Sequence, residues 1–393
     1  MLMKLVKINP YLQSLSLSNC YNLSDKGLIC LSKLTKLQNL SISECYGISD
    51  KSIIHITQAL PGIQHLCLYD CVSLTEESLY SIRHLSNLSH LDISVFDLDY
   101  DIIVQMSAHI QNVSYLRTTI VCDDLWDEAI SSLFFRNLST IDLSYLGETG
   151  DSHFATLVKN NKSLKCIRLY ECDISGSFIY QQQSIKKLIM PQCNYLSKKF
   201  YEYFRKDFDL EELEITINEN CDFNTNFSSV SRLKVLFDSQ DLPGYQFYKL
   251  KNLIELNIMV NGREDIEQIH LELILATCEN LVKLKISDLR FSCSKSLELS
   301  KNLSIREFRG IALTNVDELL FLKLATALPN LVTAEFSLNK NINTQMLQIF
   351  CAHCKLVKFL ETYDTNAQLE TLRNILKQEH PGIYVNVDDC GYK

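Results

Sequence analysis

Glycine and proline are scarce in this chain, with 11 and 6 among 393 residues. Connections between its elements are then expected to be short and stereotyped, with little need for turn specialists. No apolar run approaches the ~18 residues of a membrane span. The start of the chain, Met1 to Gln13, lacks the long apolar core and small-residue cleavage site of a signal peptide. Positive charge is in deficit as well, since 38 Lys and Arg face 47 Asp and Glu for a net charge of -9. A binder of phosphate backbones needs a basic surface, so nucleic acid is not an expected partner. Disorder is excluded by an apolar content of 46%, enough to offset the entropy of ordering. What the chain has in excess is cysteine, 15 residues. Without a secretion signal these are expected to be free thiols in a cytoplasmic protein.

Length alone would suggest about two or three domains, but the leucines repeat. Leu12-Gln13-Ser14-Leu15-Ser16-Leu17-Ser18-Asn19-Cys20 recurs as Leu37-Gln38-Asn39-Leu40-Ser41-Ile42-Ser43-Glu44-Cys45. It returns as Ile63-Gln64-His65-Leu66-Cys67-Leu68-Tyr69-Asp70-Cys71, then from Leu88. The steps are 25, 26 and 25 residues. The frame continues at Val113, Leu138, Leu164, Ile185, Leu210, Leu253, Leu281, Leu331 and Leu356, with ragged units near Val230 or Leu233 and near Ile305. The alternation Ile383, Val385, Val387 closes the chain. About sixteen units with a leucine-rich period occupy 1–393 as a single domain.

Each part of the unit has a physical role. L-x-x-L-x-L alternates apolar and polar, the period of a short strand with one buried face. A cap signal follows the ninth residue: Leu23-Ser24-Asp25, Ile48-Ser49-Asp50, Leu74-Thr75-Glu76. The hydroxyl is expected to cap the helix start, and the acid suits the helix dipole. Apolar residues at helical spacing come next, Leu28 and Leu31, Ile53 and Ile56, Leu79 and Ile82. One strand and one helix cannot bury an apolar face alone, so neighbours must stack. The expected fold class is α/β, a leucine-rich-repeat solenoid of about sixteen repeats of 20–28 residues. It is read as a curved horseshoe, with a parallel sheet on the concave face and helices on the convex one. The ninth position holds Cys20, Cys45, Cys71, Cys172 and Cys193 in five units and Asn218, Asn261 and Asn339 in three. There the chain leaves the sheet and strands carbonyls. Asn donates to them well, and Cys donates weakly while packing like a small hydrophobe, so the column reads as a structural ladder.

The Cys-terminated strand motif, the L/I-[ST]-[DE] helix start and Cys278-Glu279-Asn280-Leu281-Val282-Lys283-Leu284 resemble cysteine-containing leucine-rich repeats. Such arrays form the target-binding half of F-box/leucine-rich-repeat proteins, the recognition subunits of cullin-type ubiquitin ligases. The resemblance covers the whole chain, strongest through residue 95 and weakest across the irregular repeats of 218–310. It implies a target-binding role in the ubiquitin pathway. It departs from the family in having no F-box, the segment that docks the ligase adaptor, so an adaptor partner is expected only if an F-box lies outside this chain. Met3, Val6 and Leu12 align with Leu28, Leu31 and Leu37, so the chain is expected to open inside a repeat's helix. Residues 1–11 then form a partial repeat or cap, and residues 381–393 a C-terminal cap.

Candidate chemistry is sparse. Cys351-Ala352-His353-Cys354 is the one CxxC, and a structural zinc would need two further ligands at a suitable spacing. A packed helical cysteine is expected at Cys354, with no metal and no cofactor. No P-loop, HExxH, GxSxG or GxGxxG in a strand–helix context is present. Cys122-Asp123-Asp124 is similar to the Cys-x-Asp nucleophile of bacterial leucine-rich-repeat ubiquitin ligases, but that nucleophile belongs to a separate domain after the repeats. The basic and aromatic run Lys198 to Lys206 places Tyr201 and Phe204 at core positions and reads as an outer amphipathic helix.

The inner surface remains. Residues two, four and six places after the first leucine point out of the sheet, and adjacent strands bring equivalent positions within ~4.8 Å. The second column alternates charge through Asp92, Arg117, Asp142 and Arg168. Around it gather His65, Tyr69, Asp70, His90, Tyr115, Tyr145, Tyr170 and Glu171. Tyr and Arg are favoured interface anchors, whereas the first two units offer mainly Ser and Asn. The chain is therefore expected to be a non-enzymatic scaffold binding a protein partner on its concave face. An effector of an intracellular bacterium acting in the host cytoplasm is an alternative, from 27 Lys against 11 Arg. An enzyme with an unrecognised site is another, though no nucleophile–base–orienter set assembles from the frame.

Overall fold

The computed structural model describes residues 2–94, 100–119, 130–144, 150–203, 208–217, 227, 229–237, 247, 250–260, 271–288, 298–313, 316–339, 342–362 and 369–386. They fall into two compact units divided after Tyr203. In the first unit the strands are β1 (Ser14–Ser16), β2 (Asn39–Ser41), β3 (His65–Cys67), β4 (His90–Asp92), β5 (Tyr115–Thr119), β6 (Thr140–Ser144), β7 (Cys166–Tyr170) and β8 (Lys187–Met190). They pair in parallel and in sequence order, with Leu15, Leu40, Leu66, Leu91, Leu116, Ile141, Ile167 and Leu188 in one register row. In the second unit they are β9 (Glu212–Ile217), β10 (Arg232–Phe237), β11 (Glu255–Val260), β12 (Lys283–Ser287), β13 (Glu307–Ile311), β14 (Thr333–Ser337), β15 (Phe359–Glu361) and β16 (Tyr384–Asn386). Leu213, Leu233, Leu256, Leu284, Phe308, Ala334, Leu360 and Val385 form the matching row. Each unit is thus a leucine-rich-repeat solenoid.

The leucine frame decides what is inside. Leu40, Ile42, Leu66, Leu68, Leu91 and Ile93 face the core with Leu28, Leu31, Ile53, Ile56, Leu79 and Ile82 from the helical side. Helices span Asp50–Ala59, Tyr100–His109, Gly150–Asn160, Glu318–Ala327, Thr344–His353 and Leu369–Glu379, with shorter ones elsewhere. The first helix, Leu2–Ile8, buries Val6, in the manner of Leu31 in the next repeat. The ragged units resolve into the same frame, because Val230 and Ile305 are the buried first positions two residues before β10 and β13. One position shifts. Leu356 is 52% exposed and Val357 is 4% exposed, so Val357 opens the β15 repeat. Two apolar neighbours left the choice open locally, and the pairing of Leu360 with Ala334 settles it.

The cap signal also works differently from its local reading. Neither the Ser24 nor the Ser49 hydroxyl accepts a hydrogen bond from its own helix; that of Thr75 does, from the Glu77 N–H. Instead Ser49 donates from its N–H and hydroxyl to the Asp25 carboxylate, at 2.7 and 2.6 Å. Thr75 does the same to Asp50 at 2.8 Å each, and Ser175 to Asp151. In these three helices the acid of the first turn is therefore held by the hydroxyl of the following repeat.

A second regularity lies where the chain leaves the sheet. Asn19, Glu44, Asp70, Glu171, Gln192, Asp288, Ala312 and Leu338 all have positive φ, between 50° and 61°. Each is the eighth residue of its repeat. The N–H of Asn19, Glu44, Asp288 and Ala312 still donates to the next repeat, to the carbonyls of Ser43, Tyr69, Ile311 and Ser337 at 2.8–2.9 Å. The left-handed residue thus continues the parallel ladder for one more bond while reversing the chain toward the ninth position.

Candidate recognition surface

The ninth residue reaches back under the preceding repeat. Cys45 Sγ donates to the Leu17 carbonyl at 3.2 Å, Cys71 Sγ to Ile42 at 3.0 Å and Cys193 Sγ to Leu169 at 3.5 Å. Asn339 makes the same bond to Gly310 at 2.9 Å, and its carboxamide oxygen accepts the Leu313 N–H. Cys172 donates to Tyr170 at 3.2 Å, and Cys20 occupies the position in the first repeat. Asn218 and Asn261 lie outside the described residues. A further buried column, three residues before each first leucine, contains Asn161, Gln182, Cys278, Asn302 and Cys354. Asn161 Nδ2 donates to Leu133 at 2.9 Å, and its Oδ1 accepts the Phe135 N–H at 2.9 Å. Cys354 Sγ donates to Ala325 at 3.4 Å. Cys351 and Cys354 are fully buried, and burial pushes both thiols up to about 12. A reactive thiol needs the opposite shift.

On the opposite sheet face, equal positions in successive strands place planar side chains one over the other. The His65 and His90 rings stack at 4.0 Å and 8°, and His90 and Tyr115 at 5.6 Å and 14°. Burial and the neighbouring His65 hold the His90 pKa below its usual value. The Tyr115 hydroxyl donates to Asp142 Oδ2 at 3.2 Å. Beside this stack, Arg117 lies between Asp92 at 3.6 Å and Asp142 at 3.9 Å, with the Tyr69 ring 5.4 Å from its guanidinium carbon. Burial opposes the Arg117 charge, but Asp92 and Asp142 more than restore it and raise its pKa. Burial holds the Asp142 carboxyl above the usual carboxylate range, against the pull of Arg117 and Tyr115. Asp92 is further fixed by the Ser94 hydroxyl at 2.9 Å and the Cys67 thiol at 3.6 Å.

His65, Tyr69, His90, Asp92, Tyr115, Arg117 and Asp142 therefore form one cluster. Arg168 joins it through the strand register with Asp142, although its Nε has no hydrogen-bond partner; Asp142 Oδ1 is unpartnered too. Tyr170 pairs in register with Ser144 on the same face. Asp70 and Glu171 instead sit at left-handed turn positions along the strand ends, where Asp70 accepts the Tyr46 hydroxyl at 3.0 Å. Tyr145 and Cys122 lie outside the described residues. The ring stack escaped the sequence reading, although its signal is plain: three planar side chains at one repeat position, ~4.8 Å apart by strand spacing. Small side chains of the first two repeats leave a hollow of about 250 Å³ bounded by Ser14, Ser41, His65 and Tyr115.

Among the described residues, no group of His, Cys, Asp and Glu is arranged to hold a metal, and no helix is long and apolar enough to cross a membrane. Residues 28–116 match the family described as Zer-1-like, Leucine-rich repeats. No curated protein matches the sequence. Among solved structures, one of the Rad7 and Elc1 complex in yeast is similar at 18% identity and a TM-score of 0.53, covering 98% of this chain and 87% of that one. A leucine-rich-repeat protein of Leptospira interrogans is similar at 16% identity and a TM-score of 0.50, covering 98% of each chain. With the register rows and the buried Cys/Asn ladder, these findings show a leucine-rich-repeat fold, in which residues 28–116 are similar to Zer-1-like repeats.

Proposed function

We propose that the chain is a recognition scaffold, without catalytic chemistry of its own, that binds a protein partner on the strand face around Arg117. One observation carries this reading: Arg117 is 38% exposed yet already clamped by two carboxylates beside stacked His and Tyr rings. Interface anchors are enriched in Tyr and Arg, and side chains ordered beforehand lose less freedom on binding. A Tyr69→Ala/Arg117→Ala/Tyr170→Ala variant tests it. Partners captured from lysate by the wild type are identified, purified and titrated against both proteins. Binding at least tenfold weaker with the folded variant is expected. Equal affinity overturns the site.

A role in target presentation to a ubiquitin ligase is the finer part of the proposal. It is supported by the resemblance to F-box-associated repeats, the match to Zer-1-like repeats and the likeness to Rad7, a protein solved with a bound partner, Elc1. Co-capture of a ligase adaptor with the partner, lost when the partner is removed, is inconsistent with it; direct adaptor binding by the chain supports it.

A further inference from the structure

The second unit carries charge on the same strand face, and most of it is matched across strands. Arg232 pairs with Glu212 at 3.0 Å, and Lys234 with Glu214. Lys283 lies 3.7 Å from Glu307, with Glu255 beside it in the register row. Arg309 is held by Glu307 at 2.6 Å and Glu335 at 3.1 Å. Lys285 is the one cation of this face left unmatched among the described residues, while two acids, Glu255 and Glu361, have no ion pair there either. The neighbours of Lys285 in the row are Asn257 and Arg309, neither an acid, and among the described residues it has no ion-pair or hydrogen-bond partner. Asn257 next to it has a buried carboxamide oxygen that is also unpartnered. Both line a hollow of about 280 Å³ with Glu255, Lys283, Glu307 and Arg309.

An unmatched cation beside a second cation attracts an anion, and an unmatched buried carboxamide calls for a hydrogen-bonding group next to that anion. A phosphate backbone is a poor fit, because it needs a row of cations and here Glu255, Glu307 and Glu335 flank the one that is left. A peptide supplies both features at the right scale. We propose that this hollow is a second anchor, which takes one Asp or Glu side chain of a protein partner: Lys285 receives the carboxylate and Asn257 bonds the adjoining peptide group. The proposal rests on the reading of the chain as a protein-binding scaffold, but it concerns a separate patch.

The test uses the full chain with its lysines reductively ¹³C-dimethylated, a change that keeps their charge. The Lys285 methyl signal is assigned by its loss in Lys285→Arg. N-acetyl-glutamate methylamide, its glutamine counterpart and inorganic phosphate are titrated in turn. Saturable movement of the Lys285 signal by the glutamate compound alone is expected, weakened about fivefold in Asn257→Leu, as for one lost hydrogen bond between uncharged groups. No movement, equal movement by the glutamine compound, or a stronger response to phosphate overturns the proposal. The response is expected to persist in Arg117→Ala, so failure of the first-unit site and failure of this one are told apart.

Discussion

Asn161 offers a direct measure of what the column at the helix ends does. It is 1% exposed, and its side chain bonds two buried backbone groups of the preceding repeat, the Leu133 carbonyl and the Phe135 N–H. Its third bond, to the Leu157 carbonyl, is backed up by the Asn161 N–H at 3.0 Å. Asn161→Ala thus orphans two buried groups at about 1–3 kcal/mol each, so a loss of about 4 kcal/mol is expected. Asn161→Cys copies what Cys278 and Cys354 do at the same repeat position, where the thiol reaches carbonyls at 3.4–3.9 Å. A thiol accepts poorly, so the Phe135 N–H stays orphaned and about half the loss is expected. Urea unfolding followed by circular dichroism gives the stabilities, and hydrogen exchange at Phe135 reports the local opening directly, because repeat arrays need not unfold in one step. An alanine variant within about 1 kcal/mol of wild type, with Phe135 still protected, refutes the reasoning.

Three other outcomes are expected. Asp50→Ala should lose about 2 kcal/mol, since the Thr75 N–H, Thr75 hydroxyl and Ser78 hydroxyl lose a charged acceptor near water. Burial raises the Asp50 pKa, but bonds from Ser78 and Thr75 outweigh it and the net shift is downward. Its contribution is then present above the ordinary carboxylate pKa and lost as pH falls through the lower folded value, which urea midpoints at pH 7 and pH 3 compare. His90 has a lowered pKa, so the unfolded chain binds its proton first and stability should fall as pH drops below about 6.5. His90→Gln should flatten that part of the profile, and an unchanged slope counts against the stack as its cause. Leu338→Gly should raise stability by about 1 kcal/mol, because a left-handed leucine is strained, and 45% exposure leaves little packing to lose. A lower unfolding midpoint for Leu338→Gly contradicts this.

Much of the fold was legible because leucine spacing answers one question at a time. Leu40 and Leu66 have no alternative register once every second residue around them is polar. Legibility faded where that contrast faded: Leu356 and Val357 are both apolar, and only Cys354, three residues before Val357, marks the frame. Bonds between repeats were invisible for a different reason. Ser49 looks like the cap of its own helix until Asp25, 24 residues earlier, is found beside it. The alternating charges of the second column were read as neighbours that can pair, and Arg117 does pair with Asp92 and Asp142; Lys285 lay outside that reading. Arg117 is clamped while Lys285 is left over, and the difference depends on the acids two strands supply or withhold.

The relay from Asp25 to Ser49 and from Asp50 to Thr75 makes each early repeat a cassette with a plug at one side and a socket at the other. The stretch from Leu37 to Gly62 carries both, Ser49 facing back and Asp50 facing forward. A tandem copy of it would insert with every hydroxyl meeting a carboxylate and no polar group stranded. Such an array can lengthen or shorten by whole units, while a gain or loss of part of a unit breaks the connection on both sides of the seam.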